Sequence, residues 1–179
     1  RLRVRGDWTA ERLLEEIALS QPRAKGISSL GEPADWLLQR GAMFEAGTIF
    51  LPSSGNAWLR GSHSWSDLDV EATWKLSADG IGSLYARYAG PRSWVRVSLS
   101  PDGLRLQERL QERLHTLHFQ TMPNSADTEH VLRLRLRNNR AWVWIDGAEA
   151  ASNLPLSTAT RRGQVGLGSE KGLAEVNGF

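Results

Sequence analysis

Residues 131–147 read VLRLRLRNNRAWVWIDG, and this stretch decides the fold class. Leucine and arginine alternate from Leu132 to Arg137, and apolar residues recur from Ala141 to Ile145. Alternation with a period of two is typical of a β-strand with one buried face. Asn138 and Asn139 separate the two runs, and asparagine tolerates the left-handed region that tight turns require. The stretch therefore predicts a β-hairpin.

The same strand-like pattern continues on both sides of this hairpin and covers residues 41–179. Short segments with alternating or β-branched residues are separated by Gly, Pro, Asn and Asp, as in the turn Ser100-Pro101-Asp102-Gly103. Twelve short strands with almost no helix between them predict antiparallel pairing in a two-sheet sandwich or a barrel. The predicted strands are Ala42–Glu45, Thr48–Leu51, Asn56–Arg60, Asp67–Leu76, Ser83–Ala89, Trp94–Ser100, Leu104–Leu110, Leu114–Gln120, Val131–Arg137, Ala141–Asp146, Gln164–Gly168 and Ala174–Phe179.

The first forty residues differ from this pattern. Thr9 is placed to cap a helix over Ala10–Leu19, whose apolar residues form one stripe. A second short helix is predicted over Ala34–Gln39, started by Pro33 or capped by Asp35. We assign residues 1–40 to a helical joint with an upstream domain and residues 41–179 to the sandwich.

The amino-acid composition excludes several classes of function. The 179 residues are 40% hydrophobic and 23% charged, which is typical of a folded chain, and a net charge of +2 provides no strong field for nucleic acid. No apolar run reaches the length of a membrane span. The absence of cysteine excludes disulfides, cysteine nucleophiles and thiolate zinc sites. Eight tryptophans against two tyrosines is the unusual number.

Alternation also predicts which side chains avoid the core. Residues two apart in a strand lie on the same face, so Tyr85 and Arg87 share one face of the strand over residues 84–88. In the strand over residues 94–99, Trp94 and Arg96 lie on the face opposite the apolar residues. If these strands and residues 69–76 form one sheet, Glu71 lies on the same face. A face that is only exposed to solvent has no reason to carry a tryptophan. We therefore expect a binding surface formed by Glu71, Tyr85, Arg87, Trp94 and Arg96.

The order of these segments resembles the concanavalin A-like lectin/glucanase superfamily, in its laminin-G-like and 3-keto-disaccharide hydrolase-like branches. The resemblance runs from about Gly41 to Phe179. It implies a two-sheet jelly-roll sandwich whose concave sheet commonly binds carbohydrate, with Glu71, Tyr85, Arg87, Trp94 and Arg96 on or near it. The residues that carry it are Trp65–Ala72, Gly82–Tyr88, Leu132–Leu134, Val143–Gly147, Arg162–Leu167 and Ala174–Phe179.

Sugar rings combine an apolar C–H face with an edge of hydroxyls, which suits aromatic plates beside charged donors and acceptors. We therefore expect a non-catalytic carbohydrate-binding accessory domain of a larger polysaccharide-processing protein, acting outside the cytoplasm in the extracellular space or periplasm. Its expected partners are a polysaccharide or oligosaccharide and an upstream domain of the same chain. The chain opens at Arg1 without a leader, which we interpret as an excised domain.

Two other interpretations remain open, of which the first is a glycoside hydrolase, similar to family 16 or to the 3-keto-glycoside hydrolases, that acts through carboxylates. Asp67, Asp69 and Glu71 alternate along one predicted strand, and this spacing resembles the catalytic strand of family 16 glycoside hydrolases. On that resemblance Asp67 is the nucleophile, Asp69 its partner and Glu71 the acid/base, although aspartate stands where the family has glutamate. The chain could instead be a structural or protein-interaction module that binds no glycan.

The sequence predicts no metal site and no cofactor. His115 and His118 are three residues apart, which places them on opposite faces of a strand. A structural calcium occurs in relatives of the resembled fold, but no Asp-rich loop here demands one.

Overall fold

A computed structural model describes residues 30–122, 127–157 and 162–179. Its architecture is a sandwich of two antiparallel seven-stranded sheets, which confirms the fold class expected from the sequence. The helix predicted over Ala10–Leu19 lies outside the described residues. Within the described part of the chain, no helix is long and apolar enough to cross a bilayer.

One sheet, here called the front sheet, contains four consecutive strands joined by hairpins: β6 (Ile81–Gly90), β7 (Ser93–Ser100), β8 (Gly103–Leu110) and β9 (Arg113–Gln120). The turn between β7 and β8 ends at Gly103 with a φ of 137°, a conformation that glycine adopts readily. In spatial order the front sheet is β1 (Trp36–Gln39), β4 (Asn56–Leu59), β13 (Gln164–Lys171), β6 (Ile81–Gly90), β7 (Ser93–Ser100), β8 (Gly103–Leu110) and β9 (Arg113–Gln120).

The other sheet, here called the back sheet, contains the hairpin of the opening stretch of sequence. Its two strands pair from Leu132 with Ile145 to Arg137 with Arg140, as alternation predicts. In spatial order the back sheet is β12 (Ala148–Pro155), β11 (Arg140–Ile145), β10 (Glu129–Arg137), β5 (Leu68–Leu76), β14 (Ala174–Asn177), β3 (Thr48–Leu51) and β2 (Met43–Glu45).

The hydrophobic core lies between the two sheets and uses the apolar parity of each strand. On β5, Val70, Ala72, Trp74 and Leu76 all point inward, as the alternation of this segment predicts. Burying one such side chain contributes roughly 1.5–3 kcal/mol. Most of the driving force for folding therefore comes from this single layer.

Two strands differ from the sequence expectations. The helix predicted over Ala34–Gln39 is wrong: after a 3-10 turn at Pro33–Asp35, Trp36–Gln39 form β1 and pair residue by residue with β4. Trp36 is buried in the core and its indole Nε1 donates to the carbonyl oxygen of Leu30 at 2.7 Å. Tertiary pairing thus overrides local helix signals, and the sandwich includes residues assigned to the joint.

The second difference is β12, which the sequence did not predict. Its residues 148–155, AEAASNLP, lack alternation and β-branched side chains. The strand forms because Asp146 and Gly147, with φ of 52° and 78°, make a tight turn that returns the chain along β11.

The two ends of the described chain meet. Phe179, the last residue, packs edge-on against Trp36 with ring centroids 5.1 Å apart. The final strand β14 lies inside the back sheet, between β5 and β3. The C-terminal segment is therefore part of the folded sheet.

Candidate functional site

One row of residues crosses the outer face of the front sheet from edge to edge. The pairing registers place Trp58 opposite Gly166, Gly166 opposite Tyr85, and Tyr85 opposite Arg96. Trp58 and Trp94 are buried but do not belong to the core cluster, because they lie on this outer face. From β1 to β9 the full row is Leu37, Trp58, Gly166, Tyr85, Arg96, Gln107 and Thr116.

Glycines in β13 make room for the aromatic rings of this face. A Cβ atom built on Gly166 would lie 2.6 Å from Cζ3 of Trp58, and one on Gly168 would lie 3.0 Å from Cε2 of Tyr85. The rings therefore lie directly on the backbone of β13. Glycine within a strand often marks such a close approach.

Four aromatic rings form a continuous cluster on this surface. Trp58 stacks on Tyr88 with centroids 4.2 Å apart, and Tyr85 meets Trp94 edge-on at 5.9 Å. Tyr85 also lies 5.6 Å from Trp58 and so joins the two pairs. Trp58 and Trp94 are only 7% and 6% exposed, whereas both tyrosines are partly exposed. The tyrosines are therefore the accessible part of the cluster.

A row of polar side chains lies beside the aromatic cluster and links four strands. Nη1 of Arg96 donates to Glu170, Nη2 donates to Gln107 at 2.6 Å, and Gln107 donates to Thr116 at 3.1 Å. The guanidinium of Arg96 also lies 4.7 Å from the Trp94 ring centroid. Desolvation by burial lowers the pKa of Arg96, but a guanidinium is so basic that it stays charged at neutral pH.

The structure brings together three of the five predicted binding residues, Tyr85, Trp94 and Arg96. Glu71 is not with them: consecutive strands β5 and β6 lie in different sheets, so the assumption that placed Glu71 beside them is wrong. Glu71 is exposed on the back sheet, where it pairs in register with Arg133.

Arg87 also departs from the predicted face. The register of β6 shifts between Ala86 and Gly90, and Arg87 adopts a φ of 49°. This bulge reverses the alternation, because the extra residue turns the following side chain to the other side. Arg87 consequently lies inside the rim of the sandwich with 1% exposure. Tyr88, which strict alternation groups with the core residues Leu84 and Ala86, reaches the outer face.

Sequence reasoning missed Trp58, Tyr88, Gln107 and Glu170 as residues of this face. The glycines Gly166 and Gly168 could have indicated a group lying close on β13, since glycine within a strand often marks such an approach, but they do not identify Trp58 as that group. Glu170 carried no comparable signal.

The three carboxylates of the alternative hydrolase interpretation do not converge on a groove. Asp67 precedes β5 and accepts from the backbone nitrogen of Asn138 at 2.8 Å. Asp69 lies on the outer face of the back sheet, held by Arg133 and Arg135 at 2.7 and 2.6 Å. Partial burial alone would raise the pKa of Asp69, but hydrogen bonds and charges of these arginines outweigh it and lower the pKa. Asp69 is thus a paired surface carboxylate.

Among the described residues, no group of three or more His, Asp or Glu side chains is placed to hold a metal ion.

Comparisons with known proteins place this geometry among solved folds. No family model and no curated protein matches the sequence. A carbohydrate-binding module, CBM66 from Bacillus subtilis, superposes with a TM-score of 0.68 at 14% identity, over 86% of this chain and 96% of that chain. A Bacillus licheniformis β-glucanase superposes at 0.59 with 12% identity, over 82% and 91%.

A third structure is a Bacillus subtilis protein of unknown function with a galectin-like fold. It superposes with a TM-score of 0.61 at 11% identity, over 86% of this chain and 91% of that chain. At identities this low, the superpositions establish the fold and do not assign a function. The fold of this chain is the concanavalin A-like jelly-roll sandwich that the order of its strands resembles.

Proposed function

We propose that this chain is a non-catalytic carbohydrate-binding module that holds a glycan on the outer face of its front sheet. The observation that carries the proposal is the aromatic cluster lying directly beside the polar row that runs from Glu170 to Thr116. The tyrosine rings offer plates for sugar C–H faces, and the polar row offers fixed donors and acceptors for hydroxyls. The fold shared with a carbohydrate-binding module supports this assignment.

The binding surface is organised before the ligand arrives. Gln107 holds the guanidinium of Arg96, and Arg96 holds the carboxylate of Glu170, which is 40% exposed. Fixing these groups in advance reduces the entropy that a ligand would otherwise lose on ordering them. Glu170 is the group to which an incoming sugar hydroxyl would donate a charge-assisted hydrogen bond.

We further propose that the domain serves a larger protein that processes polysaccharides outside the cytoplasm. An upstream catalytic domain would be the partner in the same chain. Binding would then keep that domain near its substrate and raise its effective concentration. The separation of the acidic residues of β5 from the front sheet supports a binding role over hydrolysis by these residues.

The test is affinity electrophoresis and isothermal titration with a panel of soluble polysaccharides: laminarin, lichenan, xylan, mannan and levan. Glu170→Gln keeps the shape and removes the charge, and we expect it to weaken binding about tenfold, since charge-assisted bonds contribute about 1.5–3 kcal/mol. Glu71→Gln is the matched control, because it makes the same change on the exposed face of the back sheet.

A second pair of variants addresses the aromatic rings. Tyr85→Ala should reduce affinity about tenfold, while Trp144→Ala, on the outer face of the back sheet, should leave affinity unchanged. Binding that is lost with the back-sheet variants and kept with the front-sheet variants would reject the proposed surface. Failure of wild-type protein to bind any polysaccharide would favour a structural module.

A further inference from the structure

A cavity of about 390 Å³ opens at one rim of the sandwich, away from the outer face of the front sheet. It lies where the loop before β5, the bulge of β6 and the β10–β11 turn meet. Its volume is within the roughly 300–1,000 Å³ typical of small-ligand pockets. It is lined by Ser66, Asp67, Arg87, Asn138, Asn139 and Arg162.

The wall of this rim cavity is built around the buried guanidinium of Arg87. Its Nε donates to the carbonyl oxygen of Ser66 at 2.7 Å, and Nη2 donates to that of Asn138 at 2.5 Å. Nη2 also lies 3.6 Å from a carboxylate oxygen of Asp67. One side chain thus joins the loop before β5 to the β10–β11 turn.

The backbone around Arg87 is held with little freedom. A Cβ on Gly163 would lie 2.5 Å from the backbone nitrogen of Tyr88, so the segment before β13 packs directly on the bulge. Asn138 adopts a φ of 52° and its backbone nitrogen donates to Asp67. Strained and over-determined backbone of this kind clusters at ligand sites, where it fixes groups in advance.

Several polar groups around the cavity are not used by the fold. The side-chain amides of Asn138 and Asn139, the hydroxyl of Ser66 and the guanidinium of Arg162 have no hydrogen-bond partner among the described residues. Of the two carboxylate oxygens of Asp67, only Oδ1 is engaged by described residues. Both donors and acceptors therefore converge on one space, which is what a hydroxyl-rich ligand requires.

Among the residues that the structure describes, the charges around the cavity balance. Arg87 and Arg162 are offset by Asp67 and by Glu108, which is 3% exposed and acts electrostatically on Arg87. A site for a phosphate or carboxylate would carry excess positive charge. None of the six described lining residues is aromatic, so the site would bind the hydroxyl edge of a ring and would not stack on its face.

We propose that this rim cavity is a second ligand site, which binds one neutral sugar residue by its hydroxyls. The site is independent of the surface assigned to the polysaccharide. Two consecutive residues contribute to the two sites, because the bulge directs Arg87 into the rim cavity and Tyr88 onto the outer face of the front sheet. The rim site should therefore recognise a chain end or a free monosaccharide.

The experiment is ¹⁵N-detected NMR titration with methyl β-glucoside, methyl α-mannoside and methyl β-galactoside, with glucuronate as the charged comparison. At least one neutral glycoside should shift the side-chain amide signals of Asn138 and Asn139. Asn139→Ala should weaken that binding about tenfold, and Arg162→Ala, an exposed change, should weaken it severalfold. Thermal unfolding of each variant should match wild type.

Glu170→Gln separates this site from the front-sheet surface. It should leave glycoside binding unchanged even though it weakens polysaccharide binding. The rim proposal is overturned if no neutral glycoside shifts these amides, if only glucuronate does, or if both variants bind as wild type. It is equally overturned if the shifts appear at the Trp58 and Trp94 indoles instead. None of these outcomes depends on whether a polysaccharide binds the front sheet.

Discussion

Replacing Gly166 with alanine would place a methyl group under the Trp58 indole. The new Cβ would lie 2.6 Å from Cζ3 and 3.0 Å from Cδ2 of the ring, well inside van der Waals contact. Gly166 is held by pairing with β4 on one side and β6 on the other, so the strand cannot retreat. The indole must move instead.

The loss in the free energy of unfolding follows from the contacts that the indole would lose. Trp58 donates from Nε1 to Gln39 at 3.2 Å and stacks on Tyr88, and a shift weakens both contacts. Overpacking of this kind costs about 1–3 kcal/mol, partly offset by the roughly 0.4–1 kcal/mol that alanine gains over glycine through the unfolded state. We expect a net loss of about 1–2 kcal/mol in the free energy of unfolding, or a Tm lower by about 2–8 °C.

A double-mutant cycle identifies the cause. Trp58→Leu removes the ring, so Gly166→Ala in that background should be neutral or slightly stabilising. The coupling between the two changes, measured by urea unfolding, should exceed about 1 kcal/mol. Additive effects within about 0.5 kcal/mol, or a Gly166→Ala protein as stable as wild type with an unchanged near-ultraviolet circular dichroism spectrum, would refute this account of β13.

Three further predictions concern groups elsewhere in the sandwich. Arg87→Leu should cost about 3–5 kcal/mol in urea unfolding, because it leaves the buried Glu108 without that positive charge, and a loss under 1 kcal/mol would contradict this. Asp69→Asn should cost less than about 1 kcal/mol at pH 7, since the pair is partly exposed. The folded-state pKa of Asp69 lies below its ordinary 3.8, so the wild-type advantage is present above that ordinary value and is lost as pH falls through the folded pKa. A gap that does not shrink as the pH is lowered would contradict this. Gly103→Ala places a Cβ against a backbone carbonyl of β9 at a φ of 137°, so its thermal unfolding temperature should fall further than that of Gly47→Ala, where φ is also positive but the space is open.

The inward and outward faces of most strands could be predicted because alternation is a local property of the chain. On β5 and β7, residues two apart necessarily share a face, and the structure places Val70 and Val95 in the core as expected. The turn at Asn138 was likewise predictable, because left-handed backbone restricts the residue types that can occupy it.

The candidate site was harder to predict because it depends on which strands become neighbours. The chain passes from β5 directly to β6, yet the two strands lie in opposite sheets, and no residue between them indicates the crossing. The bulge at Arg87 is set by the register of β6 against its partners, so alternation alone assigned both Arg87 and Tyr88 to the wrong side.

The contact between Trp36 and Phe179 has a mechanical consequence. In a longer polypeptide continuing beyond both ends, tension would enter and leave the sandwich at nearly the same point. The load would fall first on β1, a four-residue strand that pairs with one neighbour among the described strands, and would peel it from β4 one residue pair at a time. Strand β14 has a neighbour on each side and would resist longer. Under tension, β1 would detach first, while β6 and β7, with the tyrosine rings, would stay paired in the sheet.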